Sequence, residues 1–79
     1  QDVAKRDYVR KLGADRTVCI GNGRNDRLMV QEAAIGICVL GDEGASTETV
    51  AAAHVVSRSA SEALSLLVNP RRLVATLRS

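Results

Sequence analysis

The segment Gly21-Asn22-Gly23-Arg24-Asn25-Asp26 carries the densest group of residues that could do chemistry. It lies between a short apolar run and an amphipathic stretch, where a strand would end and a helix begin. Backbone N–H groups and the helix dipole point at such a turn, and glycines let an anion approach the main chain closely. A phosphate suits it, although an ordinary strand-to-helix turn has the same composition. Gly21 and Gly23 match the opening of a GxGxxG dinucleotide fingerprint, with Asp42 about 20 residues further on. Asp26 stands at the third glycine position and places bulk and negative charge where a pyrophosphate would lie, which weighs against that reading. A Walker loop is excluded, because no Gly-Lys-Ser or Gly-Lys-Thr follows the glycines.

The remaining chemically able residues read as structural. Cys19 and Cys38 fall inside apolar segments with no metal-ligand spacing, as packed thiols do. His54 begins a short apolar run without a nearby acid or cysteine pattern, which suits a structural role better than that of ligand or base. Asp42 and Glu43 sit on a second loop, at the sheet edge where ligands of α/β folds collect, and read first as loop acids. Arg71, Arg72 and Arg78 lie on an amphipathic stretch and read as a solvated face, with Arg78 favourable near a helix end.

The elements that must position the loop follow from periodicity. Residues 2–12 form a helix with Ala4, Tyr8, Val9 and Leu12 on one stripe and Gly13 as its C-terminal cap. Residues 17–20 make a strand buried on both faces, followed by a helix from Asp26 to about Ala34. A second strand over 35–40 leads to a helix capped by Ser46 or Thr47 and ending at Ala53. A third strand spans 54–57, and Ser59 with Glu62 makes a capping box for the next helix. Asn69 and Pro70 start a last, basic helix holding Leu73, Val74 and Leu77. Helices alternating with short apolar strands predict an α/β fold: a three-layer, Rossmann-like parallel sheet, here of only about three strands with flanking helices.

The chain's 79 residues allow one domain near the lower size limit for a self-sufficient core. A formal charge of +2 and a single aromatic residue, Tyr8, argue against a nucleic-acid surface. No apolar run approaches the roughly 18 residues a membrane span needs, and the first eleven residues are too charged for a signal peptide, so a cytoplasmic location is expected.

Upstream of the loop, Lys5, Val9 and Leu12 precede the apolar run 18–20. Met29, Ala33, Gly36-Ile37, Gly44-Ala45-Ser46 and the segment 51–56 follow it. Together with Gly21-Asn22-Gly23-Arg24-Asn25-Asp26 these residues resemble the third and fourth motifs of the haloacid dehalogenase superfamily, closest to soluble phosphohydrolases like the P-type ATPase phosphorylation domain. The resemblance covers nearly the whole chain. It implies a magnesium-dependent phosphohydrolase acting on a phosphate-containing small molecule. Lys5 would hold the phosphate and an attacking carboxylate together as a compact positive charge. Asn25 and Gly23 would bind phosphate, and Asn22 and Asp26 would serve the metal, Asp26 by orienting its water or the lysine. The family's usual aspartate is replaced by Asn22, and an amide ligand carries one less negative charge and weakens magnesium binding.

The family's nucleophile is an aspartate in a first motif at the end of an N-terminal strand, and these 79 residues contain no such segment. The serine or threonine of the second motif has no counterpart either. In-line phosphoryl transfer needs a nucleophile besides electrostatic stabilisers, so the sequence implies a partial domain over 1–79 that is inactive alone. The family's nucleophile strand would lie beside the strand at 18–20, whose open edge predicts self-association or a partner chain. The alternative is a non-catalytic assembly or binding module working through that edge or the basic last helix.

Overall fold

The computed structural model describes residues 2–41 and 44–78. Asp42 and Glu43, expected as loop acids, lie outside the described residues. The chain runs α1 (Asp2–Leu12), β1 (Val18–Gly21), α2 (Arg27–Glu32), β2 (Ile35–Val39), α3 (Thr47–Ala52), β3 (Val55–Ser57), α4 (Ala60–Leu67) and α5 (Pro70–Arg78). Single 3-10 turns at Ala14–Arg16 and Arg24–Asp26 lead into β1 and α2.

The three strands form a parallel sheet in the order β1-β2-β3. Val18 pairs with Ile35, Ile20 with Ile37, and Ile37 in turn with Val55, so branched aliphatic residues line up across the sheet. On that face Ile37, Val55, Ala63 and Leu66 are buried, with Ile20, Ile35, Val39, Leu67 and Leu73 packed around them, which seats α4 and α5. On the opposite face Cys19 is buried with Val9 of α1 and Ala33, against Met29 and Ala14. The molecule is thus an α/β fold with helices on both faces of a small parallel sheet, the Rossmann-like arrangement that the alternation of elements predicts.

Local chemistry explains several boundaries. Gly13 has φ 103°, which a side chain would resist, and its N–H closes α1 on the carbonyl of Val9 at 3.0 Å. Ser59 Oγ accepts the N–H of Glu62 at 3.1 Å and caps α4, as the sequence pattern predicts. Gly36 admits α2 against β2, because a Cβ there would lie 1.9 Å from the carbonyl oxygen of Val30.

Three expectations change. Ser46 stands at the N-cap of α3, but its side chain makes no capping bond. The second helix begins at Arg27 rather than Asp26, because the Asp26 side chain turns back into the loop instead of capping the helix. The first strand is not buried on both faces: Cys19 is buried, but Val18 is 41% exposed, because β1 is an edge strand with a neighbour on one side only. Cys19 and Cys38 are free and buried, as packed thiols should be. Burial, and then the negative charge of Asp26, pushes both thiols up from their ordinary range, which makes them poor nucleophiles.

Candidate functional site

The loop after β1 is built around the carboxylate of Asp26. Its Oδ2 accepts the backbone N–H groups of Asn22 and Gly23, each at 3.0 Å, and its Oδ1 accepts Lys5 Nζ at 2.7 Å. The Asp26 N–H returns a bond to the Gly23 carbonyl at 3.0 Å, so residues 23 and 26 clasp each other. Gly21 is required beneath this clasp, since a Cβ there would lie 2.6 Å from the Cβ, Cγ and Oδ2 of Asp26. The glycine pattern of the sequence therefore has a steric reason: the loop closes over its own acid.

Lys5 and Asp26 stand 21 positions apart in sequence, and α1 packing beside α2 brings them together. The lysine side chain is 43% exposed and the aspartate 15% exposed, so the pair lies at the surface with its anion tucked inward. Burial alone would raise the Asp26 carboxyl. The Lys5 ammonium and the two backbone N–H donors outweigh it and hold the group below its usual range. Asp26 is thus ionised at neutral pH and fixes the ammonium of Lys5 at the mouth of the loop.

Two further bonds clamp the loop, one from α3 and one from the residue just before it. Thr49, which is fully buried, donates its hydroxyl to the Gly23 carbonyl at 2.7 Å, and the Ser46 N–H donates to the Asn22 carbonyl at 2.9 Å. Sequence reasoning did not single out Thr49. Its one signal was a hydroxyl at an inward position of an otherwise apolar helix stripe. Glu48, one residue earlier, lies 3.8 Å from Arg24 and 3.6 Å from Arg27 and bridges the loop to the start of α2.

The structure thus brings Lys5, Gly23 and Asp26 into one bonded unit, while Asn22 and Asn25 present exposed side chains on the same loop. Two of the N–H groups that could cradle an anion are already spent on Asp26. Groups open to an external anion include the half-exposed Lys5 ammonium, the Asn22 and Asn25 amides and the exposed Arg24 guanidinium. A magnesium ion here could take the Asn22 amide oxygen, and Asp26, whose oxygens already accept Lys5 and two N–H groups, would be its one charged ligand on the loop. Among the described residues no three His, Cys, Asp or Glu side chains converge to hold a metal. The described donor set therefore does not by itself fit the charged oxygen shell magnesium prefers.

His54 has a defined structural role. Its Nδ1 accepts the Gly36 N–H at 2.8 Å while its own N–H donates to the Gly36 carbonyl at 2.9 Å. The ring stands in for the strand partner that short β3 does not supply at that position.

No helix among the described residues is long and apolar enough to cross a membrane. No family model matches the chain, and no solved structure matches it. A comparison with curated proteins finds the uncharacterized protein MJ0073 of Methanocaldococcus jannaschii, 46% identical over 82 residues, a match covering 99% of this chain and 88% of that protein. At that identity, over nearly the full length of both, the chain belongs to the same family as the Methanocaldococcus jannaschii protein.

Proposed function

We propose that this chain is the phosphate-stabilising part of a haloacid dehalogenase-type phosphohydrolase of the soluble P-type ATPase-like kind, completed by an aspartyl nucleophile from outside the 79 residues. The observation that carries it is the Lys5 to Asp26 bond of 2.7 Å. Those two residues are the lysine and the last acid of the resembled motifs, 21 positions apart in sequence, and their direct pairing is the arrangement the resemblance implies. In this role the Lys5 ammonium neutralises the transferring phosphoryl group and the attacking carboxylate, and Asp26 aims it. The Asn25 amide donates to a phosphate oxygen. Magnesium, if used, would need a carboxylate supplied with the nucleophile.

The site stands at the carboxyl end of β1, beside the edge where such a nucleophile strand would pair. The test is complementation. A polypeptide carrying an apolar strand that ends in the family's first motif is mixed with this chain, and hydrolysis of p-nitrophenyl phosphate is followed with and without added magnesium. The proposal predicts activity only in the mixture, lost with Lys5→Met. Activity that survives Lys5→Met, or a folded complex without hydrolysis, contradicts it.

One observation favours the second reading, a non-catalytic assembly module. The Methanocaldococcus jannaschii protein extends only a little beyond the matched segment, too little to hold the missing half of such a domain. In that relative a nucleophile would have to come from another polypeptide, or the fold works without one.

A further inference from the structure

The outer side of β1 is an unfinished hydrogen-bonding edge of defined size. The N–H groups of Ala34 and Ile35 both reach the Thr17 carbonyl, at 3.0 and 3.5 Å, which fixes the phase of the parallel ladder. Residues 17, 19 and 21 then turn their backbone groups toward β2, and Val18 and Ile20 turn theirs away. Neighbouring backbone groups are used within the chain. The Thr17 N–H donates to the Ala14 carbonyl at 3.3 Å, while the Asn22 N–H and carbonyl are taken by Asp26 and Ser46. Four groups then have no strand partner among the described residues, the N–H and carbonyl of Val18 and of Ile20.

This set is complementary to itself. If a second copy of β1 lies antiparallel with a two-fold axis through Cys19, Val18 of one chain faces the partner's Ile20, and each such pair exchanges both its bonds. All four groups on each chain are then satisfied. The side chains agree with the backbone. Val18 and Ile20 project on the face that holds the Ile37 and Val55 cluster, and Val18 is 41% exposed. Because Ile20 pairs with Ile37 and Ile37 with Val55, the two-fold would extend that aliphatic row into the partner's Val18 and the partner's Ile35. β1 itself, Val18-Cys19-Ile20-Gly21, has no charge, proline or bulge of the kind that protects solvent edges. The opposite edge differs, since on β3 only Val56 turns its backbone groups outward by the same alternation.

We propose that β1 is a homodimer interface, joining two copies into one six-stranded sheet in the order β3-β2-β1-β1-β2-β3 about a two-fold at Cys19. The inference rests on the sheet and not on the phosphohydrolase reading. The two share the edge, so a nucleophile strand that pairs with β1 would displace the second copy.

The test is a measurement on the purified chain of its mass in solution by sedimentation, together with intermolecular methyl contacts in a mixture of differently labelled copies. The expected result is a dimer with contacts between Val18 and the partner's Ile20 and slow exchange of both amides. Val18→Lys, at an exposed position, is expected to sediment as a folded monomer. A wild-type monomer at millimolar concentration overturns the proposal. So does a dimer lacking the Val18 to Ile20 contact, whether or not the lysine variant folds.

Discussion

The loop after β1 and the outer edge of β1 are opposite in character. At the carboxyl end of the strand, the turn of the loop Gly21–Asp26 is pinned: Asp26 collects Lys5 and two N–H groups, and Thr49 and Ser46 tie down the carbonyls of Gly23 and Asn22. Along the strand itself, the outward groups of Val18 and Ile20 face no strand among the described residues. The loop is preorganised and the edge is open. In a catalytic site, donors fixed beforehand cost no reorganisation when charge develops. An open edge next to such a loop leaves room for a further strand to end beside Lys5 and Asp26.

The comparison can be broken most forcefully at Asp26. Asp26→Ala removes the acceptor of two loop N–H groups and the partner of Lys5, and should cost about 2 kcal/mol of unfolding free energy, measured by urea titration. Most of that belongs to the N–H groups, because Lys5 is 43% exposed and its ion pair is screened by solvent. The same carboxylate predicts a pH dependence. Its folded pKa is depressed, so its contribution is complete above the ordinary carboxylate value of about 4 and is lost as pH falls through the folded value. Between pH 6 and pH 3 the urea midpoint of the wild-type chain should fall more than that of Asp26→Asn. An equal fall would mean that Asp26 is not ionised in the clasp.

A smaller effect is expected at Thr49. Thr49→Val keeps the volume of a fully buried side chain and deletes the bond to the Gly23 carbonyl, at about 1 kcal/mol. Amide exchange should quicken at Gly23 and Asn25 and stay unchanged in β3. A loss spread evenly over the sheet would show that Thr49 supports the core and not the loop. The edge responds in the opposite sense, since Val18→Lys should change assembly and leave the loop's exchange untouched.

Much of this was legible in the sequence, and unevenly so. Periodicity located all three strands and five helices, because short apolar runs alternate with helical stripes and with caps such as Gly13 and Ser59. Gly21 was legible as a loop glycine, but its reason was not, because the clash it avoids is with a side chain five positions later that folds back. Val18 was misjudged for a related cause: an apolar run looks the same whether a strand has neighbours on both sides or on one. The pairing of Lys5 with Asp26 came only through a motif resemblance, since two residues on different helices share no local signal. Thr49 escaped because a single hydroxyl in a helix is usually a solvated or self-bonded group, and only tertiary packing aims this one at Gly23.

The central claim is that Lys5, held by Asp26, and the neighbouring Asn25 offer a binding place for a phosphoryl group. Its most direct test is a titration of the chain with inorganic phosphate, followed by the backbone amide resonances and the Asn25 side-chain amide. The account predicts saturable shifts confined to residues 22–26 and α1 around Lys5, abolished by Lys5→Ala and preserved by Arg71→Ala. Shifts centred on the arginines of α5, or shifts in the loop that Lys5→Ala leaves intact, would contradict it.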